Sequence, residues 1–384
     1  MRSSRLLILV VLAGLAAVIP GAAQGTREQS AASLLAQARR ALTAGQAALA
    51  LRTVEPLLAR TPGDHDVVAI AIQATLALDD NSRAYALYDT FVQTTGTPAA
   101  DLLKPIAVKE LQTVAAAAEH DPRLRAEAFE RLARNGDMGA AGSLRQEGGS
   151  GSGRLALLAD TALSRLGDEG AMRRIAAAVS SPDNVAKTAE AEAVTRAGQA
   201  SLAPLLVPLL KHWDPYTRTA AVHGLAALGY KDAIEPMRAL LSDSYIEVRT
   251  KTALALARLG DSAGRDVVSA MLRSPVPDVR LIALEADPSI AGGQRSSIIR
   301  SVLTDRDPLN RVRAAEMLAR DDPDEARAAL IALTRNADSM PRREAARVLE
   351  LLEPIDLDLS RRLMADTEPW VRMYGAGAVL KAAR

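Results

Sequence analysis

Helix-like runs recur along this chain at a spacing of 31 residues, and that period constrains the fold more than any single residue does. The second helix of each unit aligns on one column: Arg125, Ala156, Lys187, Arg218, Arg249, Arg280, Arg311 and Arg342, with a last member, Arg372, one residue early. A period in this range marks a solenoid of stacked helix pairs, in which each unit touches its neighbours and the whole offers a long curved surface. The predicted class is all-α: a right-handed α-solenoid of antiparallel helix pairs, an architecture suited to binding.

The turn chemistry agrees with the period. Asp-Pro-x-x-Arg occurs at Asp121-Pro122, Asp214-Pro215 and Asp307-Pro308, each 93 residues apart, which is three periods. Asp can cap free backbone amides, and Pro fits the first helical position, where its missing N–H costs nothing. Small or aliphatic residues follow the anchor at helical spacing, for example Thr252, Ala253, Leu256 and Leu259, and make one buried stripe. Gly136, Gly167, Gly198, Gly229 and Gly260 stand eleven residues after the anchor, where a left-handed C-terminal cap favours glycine.

Two family resemblances follow from these residues. Residues 24–100 carry two helix pairs in which Thr61-Pro62 recurs as Thr97-Pro98, and they resemble tetratricopeptide repeats, although Pro56 should kink or shorten the second helix. Residues 101–384 form about nine units: a first helix, a turn with Asp or Ser and Pro, and a second helix opened by arginine. This stretch resembles HEAT-like repeats in the short form of phycobilisome-lyase-type proteins. The Gly-rich stretch Glu147 to Gly153 reads as a flexible loop or hinge, and the last unit, with Gly375 and Gly377, as a polar cap that frays.

The N-terminus bears on the compartment. Arg2 and Arg5 precede an apolar run from Leu6 to Ile19, then Pro20 and Gly21-Ala22-Ala23, the arrangement of a secretory signal peptide over residues 1–23. The run is shorter than the roughly 20 residues a spanning helix needs, so stable membrane insertion after processing is not expected. The expected location is periplasmic or secreted. No cysteine is present, which excludes both disulfides and a lipid-modified cysteine. Loss of Arg2 and Arg5 takes the formal net charge from +1 to −1, a balance that argues against a nucleic-acid partner.

Catalytic chemistry finds little support. His65, His120, His212 and His223 sit in no His-Glu-x-x-His pattern, and none is followed by Glu as in metal-binding HEAT-type hydroxylases, so no catalytic residue, metal or cofactor is expected. The anchor arginines read as inter-repeat hydrogen bonding. Nine residues after the anchor stand Arg134, Arg165, Arg196, Arg258 and Arg320, and five after it Glu130, Glu192, Glu285 and Glu316: a solvated face of i,i+4 pairs.

That pattern breaks at His223, Ala227 and Leu254, in units that also hold Trp213, Tyr216, Tyr230 and Tyr245. Aromatics with apolar neighbours and a nearby arginine have the composition of a binding hot spot. The expected partner-binding residues are Trp213, Tyr216, His223, Ala227, Tyr245, Leu254 and Arg258, on the concave face of a non-enzymatic scaffold that binds a protein. Gap filling by the aromatics is the competing reading. The lyase resemblance implies an alternative function, a lyase or chaperone-like factor acting on a prosthetic group.

Overall fold

A computed structural model describes residues 30–149, 153–183 and 185–384. The expected signal segment, residues 1–23, lies outside the described residues. Among the described residues four helices come first: α1 (Ala31–Thr43), α2 (Ala47–Arg60), α3 (His65–Ala77) and α4 (Asn81–Thr95). Ser30, Asp64 and Asp80 cap α1, α3 and α4 by accepting the backbone N–H of Ser33, Val67 and Arg83. Pro56 does not stop α2, which runs four residues beyond it.

Nine units follow. The first three are paired helices: α5 (Ala100–Ala116) with α6 (Pro122–Arg134), α7 (Met138–Gly149) with α8 (Arg154–Arg165), and α9 (Glu169–Val179) with α10 (Thr188–Ala197). In the next units the first helix degrades. Pro204 and Pro208 remove backbone donors, and only 3₁₀ turns (Ala200–Leu206, Pro208–Lys211) precede α11 (Pro215–Ala227). A short α12 (Ile234–Arg238), flanked by 3₁₀ turns, precedes α13 (Ile246–Arg258), and α14 (Arg265–Leu272) precedes α15 (Pro277–Ala286). The series ends with α16 (Arg295–Val302) and α17 (Pro308–Leu318), α18 (Pro323–Leu333) and α19 (Ser339–Leu351), and α20 (Leu357–Leu363) and α21 (Pro369–Ala382).

Local signals behave as their chemistry dictates. Asp121, Asp214 and Asp307 accept backbone N–H groups at the starts of α6, α11 and α17, with Pro at the first turn of each. The five expected C-terminal cap glycines all have positive φ, for example 67° at Gly229 and 87° at Gly260. Three of the four glycines from Glu147 to Gly153 are described, and two of them, Gly148 and Gly149, are helical, so α7 runs into the stretch read as a loop.

Second helices touch one another from unit to unit, whereas first helices scarcely do, so the second helices make the inner wall and the first helices the outside. The solenoid does not stay open. α21, at the end of the ninth unit, packs along α5 and also reaches α6, in the way most second helices pack on the first helix of the following unit. The nine units therefore close into a ring. One continuous apolar core crosses the junction, from Tyr88, Leu103, Ile106 and Leu132 to Leu349, Trp370, Val371 and Val379.

This corrects the expectation of a fraying polar cap. Ten of the fourteen residues of α21 are buried. Its two glycines serve close packing: a side chain at Gly375 would press on Leu363 and the backbone of Met364 and Ser360 in and just after α20, at 2.8–2.9 Å. On the outer side α4 clasps the same junction, where Arg361 of α20 pairs with Asp89 through two bonds of 3.0 and 2.8 Å and lies 4.0 Å over the Tyr85 ring. Arg372 of α21 meets Glu110 of α5 at 2.7 Å.

Candidate functional site

The anchor arginines are structural, and their work is mostly within the unit. Arg218, Arg249, Arg280, Arg311, Arg342 and Arg372 each direct one guanidinium nitrogen at the two turn carbonyls six and five residues earlier, as Arg249 does to Asp243 at 2.6 Å and Ser244 at 3.1 Å. These bonds satisfy carbonyls that the sharp turn would otherwise leave unpaired. The expected inter-repeat role holds at Arg218 with Asp243 and at Arg342 with Asp366, where a carboxylate in the next turn takes a bidentate pair. Burial alone would raise the Asp243 pKa, but bonds from Arg218 and the Tyr245 amide outweigh it and hold the carboxyl below the usual range.

The inner wall is less generic than its sequence pattern. Glu192 pairs with Arg196 at 2.9 Å on one helix, as expected. Glu130 is buried and takes both Arg134, at 2.7 Å, and Arg165 of the next unit, at 2.9 Å through Nε. Glu316 bonds not to Arg320 but to Arg347 one unit on, at 2.8 Å. The wall is laced across units because the ring's curvature brings neighbouring helices within reach.

At the junction the inner wall forms a hollow of about 440 Å³. Arg123, Glu127, Glu130, Arg131 and Arg134 of α6 line it, with Arg165 of α8, Arg347, Glu350 and Leu351 of α19, Tyr374, Gly377, Leu380 and Lys381 of α21, and Arg384. Seven of these carry positive charge and three negative. Arg131 spans the junction to Glu350 through bonds of 2.9 and 2.7 Å. Burial would lower the Arg131 pKa, but the carboxylates of Glu350 and Glu127 prevail and keep it charged. The pair lies over Gly377, where a Cβ would collide with Glu350 and come within 2.8 Å of Arg131 Nε. Burial and Glu127 push the Tyr374 phenol up to about 12, so it remains a neutral donor.

The seven residues expected to bind a partner fall into two groups. Trp213, Tyr216 and Tyr245 lie in or beside the turns that start α11 and α13, on the rim of the ring, and are 61%, 66% and 54% exposed. His223, Ala227 and Arg258 lie farther along the helices on the inner wall and are exposed. Tyr216 and Ala227 are eleven residues apart on one helix, about 16 Å. Leu254 does not face solvent freely: it is half-buried against the Ala257, Val268 and Ala283 cluster, because α15 covers that side of α13. Tyr230 packs against the core, as gap filling requires. The His223 side chain reaches solvent, yet partial desolvation of its ring, with Arg258 and Lys251 nearby, lowers its pKa.

Sequence reasoning missed the rest of the rim. Ile246 is 71% exposed, and Val276, Leu309 and Met340 are exposed at the starts of later inner helices. Their signal was available: Tyr216, Leu309 and Met340 all stand two residues before the anchor. Among the described residues no group of three or more His, Cys, Asp or Glu is placed to hold a metal, and no helix is long and apolar enough to cross a membrane.

The sequence profile for HEAT repeats matches residues 202–286. No curated protein matches the chain. Among solved structures it is similar to human deoxyhypusine hydroxylase in complex with glycerol, at 20% identity over 73% of this chain and 98% of that one, with a TM-score of 0.33. It is also similar to the CpcE and CpcF complex of phycocyanin lyase from Nostoc sp. PCC7120, at 19% identity over 66% and 94%, TM-score 0.37. An engineered protein matches at 19% identity over 91% and 98%, TM-score 0.30. Superpositions this loose add nothing beyond the repeat match. The chain is a HEAT-like repeat protein and its fold an all-α solenoid.

Proposed function

We propose that this protein is an exported, non-enzymatic scaffold that binds an elongated protein partner along one rim of the ring. The carrying observation is the row of exposed apolar side chains at the starts of successive inner helices: Trp213 and Tyr216, Tyr245 and Ile246, Val276, Leu309 and Met340. They recur once per unit over five units. At 8–10 Å between neighbouring helices, the row follows an arc of about 35 Å that curves through nearly half the ring, and a partner must present apolar contacts along that curve. Large aromatic anchors that leave water on binding carry most of the energy of such interfaces.

The rim replaces the concave face as the docking surface. Nine inner helices at ordinary spacing close on a circle of roughly 13 Å radius to their axes. Side chains take up about 5–6 Å of that, and the opening left is too narrow for a globular partner. The inner wall is also laced with ion pairs, unlike the apolar centre of a docking surface.

Crosslinking in native envelope, followed by recovery of bound proteins, tests the reading. Trp213→Ala with Tyr245→Ala should weaken the recovered complex at least about 30-fold, or roughly 2 kcal/mol, with helical content unchanged. Equal binding by the double variant would refute the rim. Export is tested separately: the mature chain should begin near Gln24 by intact mass, and full-length protein in the cytoplasm would refute it.

A further inference from the structure

We infer that His223 of α11, with Lys251 and Arg258 of α13, forms a site on the inner wall for a small anion that carries a phosphate or carboxylate group. The anionic group takes the place that a glutamate of the chain itself holds in other units. The rim reading is not involved, since no residue of the rim row takes part.

The repeat register carries the argument. A glutamate five residues after the anchor serves cations of the next unit in two ways. Glu285 takes Arg313, 28 residues on, through bonds of 2.6 and 2.7 Å. Glu130 takes Arg165, 35 residues on, at 2.9 Å. His223 stands at the same position of its unit, and the residues 28 and 35 beyond it are Lys251 and Arg258. The ladder keeps both cations and puts an imidazole at the one position from which a carboxylate would reach either.

No other carboxylate takes over. Among the described residues neither Lys251 nor Arg258 has a hydrogen-bond or ion-pair partner, and both are exposed. Glu192 of α10 also bears on His223, but Arg196 holds it at 2.9 Å. Glu247, one turn before Lys251 on α13, pairs with neither cation. Ala227, where other units carry arginine, leaves His223 open to the lumen. The three basic groups stand close enough that Arg258 and Lys251 add to partial desolvation in disfavouring the imidazolium. Crowding of like charge is a cost that a bound anion removes. Lys and Arg only donate, and a protonated imidazole donates from both nitrogens, so all three groups match acceptor oxygens.

Proton NMR titration with sodium sulfate, a tetrahedral dianion of constant charge, and with sodium acetate tests the site, at an ionic strength held constant with chloride. With at least one probe the His223 imidazole signals should shift saturably, and its pKa should rise because the bound anion favours the imidazolium. Lys251→Ala with Arg258→Ala should weaken that binding at least tenfold with helical content unchanged. Arg320→Ala, which removes an unpaired cation four residues after Glu316 and away from His223, should leave it unaltered. His223→Glu should supply the carboxylate from within, raising the thermal midpoint and abolishing calorimetric binding of the probe. Lack of a saturable shift with both probes, undiminished binding by the double variant, or a midpoint that does not rise in His223→Glu would overturn the site.

Discussion

The junction and the arc opposite it are built from the same repeat and treat the same position in opposite ways. Two residues before the anchor, Trp370 at the junction is 5% exposed, with the Arg343 guanidinium 3.8 Å over its ring and Arg123 at 5.7 Å from the other side of the junction. Tyr216, at that position in the arc, is 66% exposed. A solenoid repeat sets where a side chain stands, and its neighbours decide whether that place is core or surface. In the arc the first helices have partly collapsed to 3₁₀ turns and the rim aromatics face water. At the junction Arg343 and Arg123 close over the ring, Tyr374 packs beside it, and the aromatic becomes core.

The largest contrast should appear when the two aromatics are truncated. Trp370→Ala should cost about 3–5 kcal/mol by chemical denaturation, through lost burial and the cavity left behind. Tyr216→Ala should shift stability by under about 0.5 kcal/mol. Comparable costs at both sites would mean that the junction is not core.

The ion pairs give the next contrast. Glu350→Ala leaves the half-buried Arg131 guanidinium with only the longer pair to Glu127 and should cost about 3 kcal/mol. Glu192→Ala removes an exposed i,i+4 pair and should cost about 0.3–0.5 kcal/mol.

Much of this was legible in the sequence, and the reason is local. Asp-Pro starts, glycine caps and the anchor column act within one turn or one unit, so period and residue type suffice to place them. Ring closure was not legible, because it depends on the summed small rotation per unit. Gly375 and Gly377 looked like signs of a weak end helix; their role is visible only with Leu363, Arg131 and Glu350 around them. Leu254 failed for a similar reason, since whether a position opposite the stripe is covered depends on how closely the next helix approaches. The partner-binding group was chosen by composition, which could not distinguish the rim from the inner wall on the same helix.

Acid offers a finer contrast within the arc. Asp243 is held below the usual carboxylate range in the fold, so its contribution to stability is present above its unfolded pKa of about 4 and is lost as pH falls through the lower folded value. Asp243→Asn should flatten that part of the stability profile, read from denaturation midpoints between pH 2 and 5.

The smallest effect belongs to His223. Its folded pKa lies below the unfolded value of about 6.5, so the native state resists protonation and loses stability as pH falls from 6.5 through the folded pKa. The imidazole should titrate below 6.5 by proton NMR, and His223→Gln should remove this portion of the pH dependence. Titration at or above 6.5 would place His223 away from Arg258 and Lys251.

Ring closure itself is tested most directly by a distance. The chain has no cysteine, so Arg134→Cys and Ala382→Cys accept spin labels at those two sites alone, at the ends of α6 and α21. In the closed ring these are neighbouring helices, and pulsed dipolar spectroscopy should give one narrow distribution at about 20 Å or less. A solenoid that stays open separates the first and ninth inner helices by eight spacings, so a distribution centred beyond about 50 Å would contradict the ring.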